Sequence, residues 1–98
     1  MVKKIIWTKR ANRKFNSVIQ YLESEWNPNV VAAFVQRTYD VIETLAMHPE
    51  LGTLELPDKK IRGFLITKHN RLFYRVSDKE IILLNFFDTR SSAERKKF

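Results

Sequence analysis

Four arginines lie in or beside stretches that are otherwise apolar: Arg62 within residues 61–67, Arg71 and Arg75 around residues 72–77, and Arg90 directly after residues 80–87. A guanidinium fork matches the geometry of a phosphate, so several of them converging on one sheet face would hold a phosphate-bearing partner. Taken singly, each is also an ordinary solvent-side residue of a strand. By alternation Arg62 and Phe64 share one face of their strand, and Ile61, Gly63 and Leu65 share the other. Arg95 and Lys96 in the closing segment extend the set of candidate target-binding cations. The two histidines carry less. His48 precedes Pro49 at a helix end, where an imidazole meets free carbonyls, and His69 falls in a Lys68-His69-Asn70 turn that a partner of a basic sheet face would also touch.

Other chemistries find no residues. There is no Cys, hence no disulfide and no thiolate metal site, and the histidines have no companions at metal-ligand spacing. With glycines only at positions 52 and 63 there is no glycine-rich phosphate loop, and Ser91-Ser92 has no neighbouring base. No metal or cofactor is implied. The N-terminal segment holds only three consecutive strongly apolar residues, Ile5 to Trp7, too few for a signal peptide or a membrane span. With no cysteine to oxidise, the expected setting is the cytoplasm, without a membrane partner.

Ninety-eight residues make one domain, and 44% hydrophobic residues, including seven Phe, supply a core. The net charge of +7 favours an anionic partner. Its distribution is uneven: Lys3, Lys4, Lys9, Arg10, Arg13 and Lys14 precede any acid, whereas Glu23, Glu25, Asp40, Glu43 and Glu50 gather in the middle. The molecule is therefore expected to have a basic side.

The elements that must position these groups follow from periodicity. Residues 3–7 read as a strand, and Thr8 has the chemistry of a helix N-cap. Ala11, Phe15, Val18, Ile19, Leu22 and Trp26 recur at helical spacing, and Asn27-Pro28 ends one helix and opens another. The second helix carries Val31, Phe34, Val35, Thr38, Val41, Ile42 and Leu45 on one face and stops before Pro49. Residues 48–60 read as turn and loop. Strands are expected over 61–67, 72–77 and 80–87, joined by short polar turns into an antiparallel meander, with the last strand at the buried centre. The order β-α-α-β-β-β specifies an α+β domain, a helical hairpin laid on one face of an antiparallel sheet, the other face free to bind.

That order, with Pro49-Glu50-Leu51-Gly52, Ile61-Arg62-Gly63-Phe64, Arg71-Leu72-Phe73-Tyr74-Arg75-Val76 and the closing strand followed by Asp88-Thr89-Arg90, resembles the RelE/ParE superfamily of toxins from type II toxin–antitoxin systems, over essentially the whole chain. The resemblance implies a basic, cytoplasmic toxin, often tied to plasmid stabilisation, with a cognate antitoxin as partner and an exposed apolar groove as its dock. It implies one of two targets: the ribosome with its mRNA, cut by the RelE branch, or DNA gyrase, blocked by the ParE branch through protein–protein contact. For cleavage, Arg71 and Arg90 match phosphate-holding arginines of the family and Arg62 stands at a catalytic lysine position, with His69 or a tail lysine left to replace the missing groups. The second lysine position holds Phe64, the catalytic tyrosine has no counterpart in Glu94-Arg95-Lys96-Lys97-Phe98, and the glutamate–histidine pair of the YoeB toxins is not evident. A permanently protonated arginine is a phosphate clamp and a poor base. Together with the long helical hairpin, this places the expectation on the non-enzymatic ParE side, with ribosome-dependent cleavage or a non-toxic, antitoxin-binding role as the alternatives.

Overall fold

The computed structural model describes residues 2–89, so Arg90, Arg95 and Lys96 lie outside the described residues. The chain forms β1 (Lys4–Trp7), α1 (Lys9–Glu25), α2 (Pro28–Met47), a 3-10 turn (Pro49–Leu51), β2 (Thr53–Leu56), a second 3-10 turn (Pro57–Lys59), β3 (Ile61–Thr67), β4 (Asn70–Val76) and β5 (Glu80–Asp88). Both helix starts follow from local chemistry. The Thr8 hydroxyl accepts from the Ala11 N–H at 3.1 Å and donates to the Leu83 carbonyl at 2.7 Å, so one residue caps α1 and ties it to β5. Asn27 Oδ1 accepts from the Val30 N–H at 3.1 Å, with Pro28 in the first helical position.

The five strands lie in the order β1-β5-β4-β3-β2, antiparallel except that β1 runs parallel to β5. Two features depart from the sequence expectation. Residues 53–56, read as loop, form an edge strand paired with β3; four residues between Gly52 and Pro57 are too few for alternation to declare itself. The middle strand is β4 rather than β5, because β1 takes the place outside β5. β5 is still interior, paired on both sides.

The helical hairpin covers one sheet face. Phe15 of α1 packs its ring 5.3 Å from Phe86 of β5 and 5.6 Å from Phe34 of α2, and Trp7 lies 5.3 Å from Phe15. Around these rings Ala11, Val41, Ile42, Leu45, Ile66, Leu72, Tyr74, Ile81 and Leu83 complete the core. Burying a large apolar side chain of this kind contributes roughly 1.5–3 kcal/mol. Trp26, assigned from its spacing to the buried stripe, instead caps the end of α1 and is 60% exposed. The opposite sheet face is not wholly free: Ile61, Phe73 and Phe87, with Leu56 and Leu84 against them, form a second small apolar cluster there.

The junction between the α2 end and the sheet is made by polar contacts. Tyr74, fully buried on β4, donates its hydroxyl to the Pro49 carbonyl at 2.7 Å and accepts from the Gly52 N–H at 2.9 Å. Gly52 has no room for a side chain; a Cβ there would run into the Tyr74 hydroxyl and lie 2.9 Å from the Gly63 carbonyl. Burial pushes the Tyr74 phenol above its ordinary value of 10.0, because the phenolate loses hydration there. A proton held more tightly in the folded state gives stability that is complete below the unfolded value and is lost as pH rises through the folded one. Tyr74→Phe is expected to cost about 1–3 kcal/mol by stranding both backbone groups, read as a lower midpoint in thermal unfolding. The difference between the two proteins should shrink as pH climbs above 10.0, since only the wild type carries the phenol.

Candidate functional site: a groove beside the hairpin and an arginine–glutamate pair on the open sheet face

The structure separates the strand arginines. Arg62 lies opposite Tyr74 across the β3–β4 ladder, on the hairpin side of the sheet. Its Nη1 donates to the carbonyls of Glu50 at 3.2 Å and Gly52 at 2.7 Å, so it secures the Pro49–Leu51 turn. Arg71 and Arg75 lie on the other face, four residues and about 13 Å apart along β4. Arg75 is exposed. Arg71 is engaged: its Nη2 meets Glu55 Oε2 of β2 at 2.8 Å, with side-chain exposures of 24% and 13%. Gly63 leaves the room for this contact, since a Cβ there would come within 2.6 Å of Arg71 Nε and 3.2 Å of Glu55 Oε2.

Glu55 is the residue that sequence reasoning passed over, because it fell in the stretch read as loop. The signal was Thr53-Leu54-Glu55-Leu56, an alternating run short enough to be mistaken for a connection. As placed, a carboxylate and a guanidinium stand side by side on the open face. Phe87 is the direct strand partner of Arg71, and its apolar ring can neither give nor take a proton.

His69 is half-buried in the β3–β4 turn. Its N–H donates to Thr67 Oγ1 at 3.2 Å and its carbonyl accepts from the Thr89 N–H at 3.0 Å. That turn closes one end of a groove of about 800 Å³ between the helices and the sheet. Val18, Tyr21 and Leu22 of α1 form one wall, Val30, Ala33 and Phe34 of α2 the other, and Ile66 and Phe86 contribute from the sheet. Lys14 and Arg37 stand among the apolar lining, as does Trp26. Arg37 Nε donates to the Ile66 carbonyl at 2.8 Å, pinning α2 to β3 where the β3–β4 register shifts between Leu65 and Thr67. A concave apolar surface with Tyr21 and Trp26 both exposed is suited to an amphipathic segment of another chain. Among the described residues no cluster of His, Asp or Glu is arranged to hold a metal ion, and no helix is long and apolar enough to cross a membrane.

A hairpin on a meander sheet, grooved beside the helices, is the architecture of RelE/ParE-type toxins. The fold matches the chromosomal ParDE toxin–antitoxin system from P. aeruginosa with a TM-score of 0.73 at 19% identity, covering 89% of this chain and 96% of that one. It also matches the RelBE2 toxin–antitoxin complex of Mycobacterium tuberculosis (TM-score 0.60, 18% identity, 90% and 99% covered). A YoeB/ParE toxin from Agrobacterium tumefaciens is similar as well (0.62, 17% identity, 87% and 96%). No curated protein matches in sequence. The sequence model of the ParE toxin of the type II toxin–antitoxin system parDE matches residues 5–93, and the chain belongs to that family.

The geometry separates stability from function at the arginines. Arg62→Met is expected to lower the unfolding midpoint by removing the donor to two carbonyls, at a cost of about 1–3 kcal/mol. Arg75→Met, at an exposed position, should leave the midpoint within about 0.5 kcal/mol of wild type. Parallel thermal melts of the two variants check the contrast.

Proposed function

We propose that this chain is a ParE-type toxin that inhibits DNA gyrase by protein–protein contact and is neutralised by a cognate antitoxin seated in the groove between the hairpin and the sheet. The observation that carries the gyrase reading is the split of the arginines. RNA cleavage needs a base, cations on the phosphate and an acid on one surface, whereas Arg62 turns to the hairpin side and holds backbone carbonyls. The groove supports the antitoxin reading: it is apolar, open and walled by both helices. A structural relative, the YoeB–YefM pair of Staphylococcus aureus, is a heterotetrameric toxin–antitoxin complex. Action on gyrase places the protein in the cytoplasm, in keeping with a role in plasmid stabilisation.

One observation favours a second reading. The Glu55–Arg71 pair brings a carboxylate to within 2.8 Å of a cation on the open face, which are two of the parts needed to draw a proton from a 2′-hydroxyl and hold the adjacent phosphate. On that reading the chain is an endoribonuclease acting on mRNA at the ribosome, with Arg90 and His69 as further candidates.

Pulse-labelling after induction without antitoxin separates the two. The gyrase reading expects DNA synthesis to fall first while translation continues, and purified protein to block supercoiling. Translation collapsing first, with rescue by Glu55→Gln or Arg71→Ala, would transfer the activity to the open face. For the groove, Leu22→Asp is expected to weaken antitoxin binding tenfold or more, about 1.4 kcal/mol, in titration calorimetry. Unchanged affinity would place the antitoxin elsewhere.

A further inference from the structure

The end of α2 and the turn after it present apolar side chains that the core does not take up. Met47, Leu51 and Leu54 fall within eight residues of chain and are 61%, 51% and 45% exposed. None of them lines the groove, whose α2 wall stops at Arg37, about 15 Å of helix before Met47. Leu51 is presented rigidly. Its turn is held by Tyr74 on Pro49 and Gly52 and by Arg62 on Glu50 and Gly52. Leu54 is the cross-strand neighbour of that same Arg62. A surface already ordered in this way loses little freedom when a partner settles on it.

The charge beside these residues is negative in a chain whose total is +7. Asp40 and Glu43 share a helix face with Met47 by their spacing, Glu50 precedes Leu51, and all three acids are exposed. Asp40 accepts from Gln36 Nε2 at 2.9 Å, and none of the three is in an ion pair among the described residues. Cations of this end of the molecule are engaged elsewhere. Arg62 holds the turn carbonyls, and Lys3 Nζ takes the carbonyls of Ser77 at 2.9 Å and Asp78 at 2.7 Å. Lys59 and Lys60 line a separate hollow with Arg75 and Leu84.

From this apolar, acid-flanked face we infer a second docking surface, one that takes a basic amphipathic helix of another protein. Its acids repel the phosphates of nucleic acids and of anionic lipids, whereas exposed apolar side chains within a polar rim mark protein contacts. A second copy of the chain seated here by two-fold symmetry would set the same acids against each other. A helix with leucines along one side and lysine or arginine beside them matches both the apolar groups and the charge. On the reading that the toxin blocks its target by protein contact, on which this last step rests, the face is where the target is gripped, with the groove left to the antitoxin.

The test is fluorescence anisotropy of the purified chain with a labelled synthetic helix of about four turns, leucines on one side and lysines flanking them. Met47→Ser/Leu51→Ser should lower its affinity by about tenfold or more. Glu43→Gln/Glu50→Gln should lower it severalfold and flatten its dependence on salt. Leu65→Ser removes a comparably exposed leucine from the open sheet face and should reproduce the wild type. In a supercoiling assay with purified gyrase, Met47→Ser/Leu51→Ser should require about tenfold more protein for equal inhibition, with antitoxin affinity unchanged in calorimetry. Thermal midpoints of both double variants should stay near wild type, because the positions are exposed. The inference is overturned if the synthetic helix does not bind, or if the Met47/Leu51 variant binds it unchanged. It is equally overturned if that variant still inhibits gyrase as the wild type does, or if antitoxin binding falls with those side chains. A wild type that leaves supercoiling untouched defeats the gyrase reading alone, and the synthetic helix then decides the inference by itself.

Discussion

The hydroxyl of Tyr74 is the point at which the turn after α2 is locked to the sheet. It projects from the middle strand of the sheet and, by donating to Pro49 and accepting from Gly52, fixes both ends of the turn that follows α2. Arg62, its cross-strand neighbour, takes the carbonyls of Glu50 and Gly52. Four backbone groups of one short turn are thus satisfied by two side chains from adjacent strands, in a place where a stranded donor or acceptor would be costly. The end of α2 is thereby held at the sheet, while Thr8 on Leu83 and Arg37 on Ile66 tie the rest of the hairpin to it. The glycine of the turn is present for space: its φ of −71° is open to any residue, but the phenol occupies the position of its missing side chain.

The Pro49-Glu50-Leu51-Gly52, Ile61-Arg62-Gly63 and Arg71-Leu72-Phe73-Tyr74 segments, which carry the family resemblance, are parts of two close-packed contacts. One is the turn lock just described. In the other, Gly63 makes room for Arg71 to reach Glu55. Motifs that identify a toxin family therefore record how the sheet is assembled at least as much as what it attacks, which is why they establish membership more readily than mechanism.

The helices and long strands were legible because their signals are local. Thr8 and Asn27-Pro28 announce the helix starts, and apolar spacing alone gives the stripes that meet at Phe15 and Phe34. What stayed hidden depended on distant pairing. β2 exists because β3 offers an edge, and Glu55 acquires a partner only through that pairing. The strand arginines looked like a single set in sequence, yet the pleat sends Arg62 and Arg71 to opposite faces, and register decides which carbonyls or carboxylates each one meets. Trp26 kept helical spacing but fell at the cap and is exposed. The groove was expected only from the family resemblance, since its lining draws on both helices, two strands and a turn.

The parallel pairing of β1 with β5 also governs the order of events during synthesis. Lys4 pairs with Glu80 and Trp7 with Leu83, and the cap residue Thr8 is anchored to the same distant strand. β1 thus has no strand to pair with until α1, α2 and β2 to β4 have been made and β5 follows them. Until then the hairpin's apolar stripes lie bare, and closing so long a loop is slow. Until β5 is made the sheet lacks the strand that joins β1 to β4, and a chain that stops before Glu80 cannot complete it.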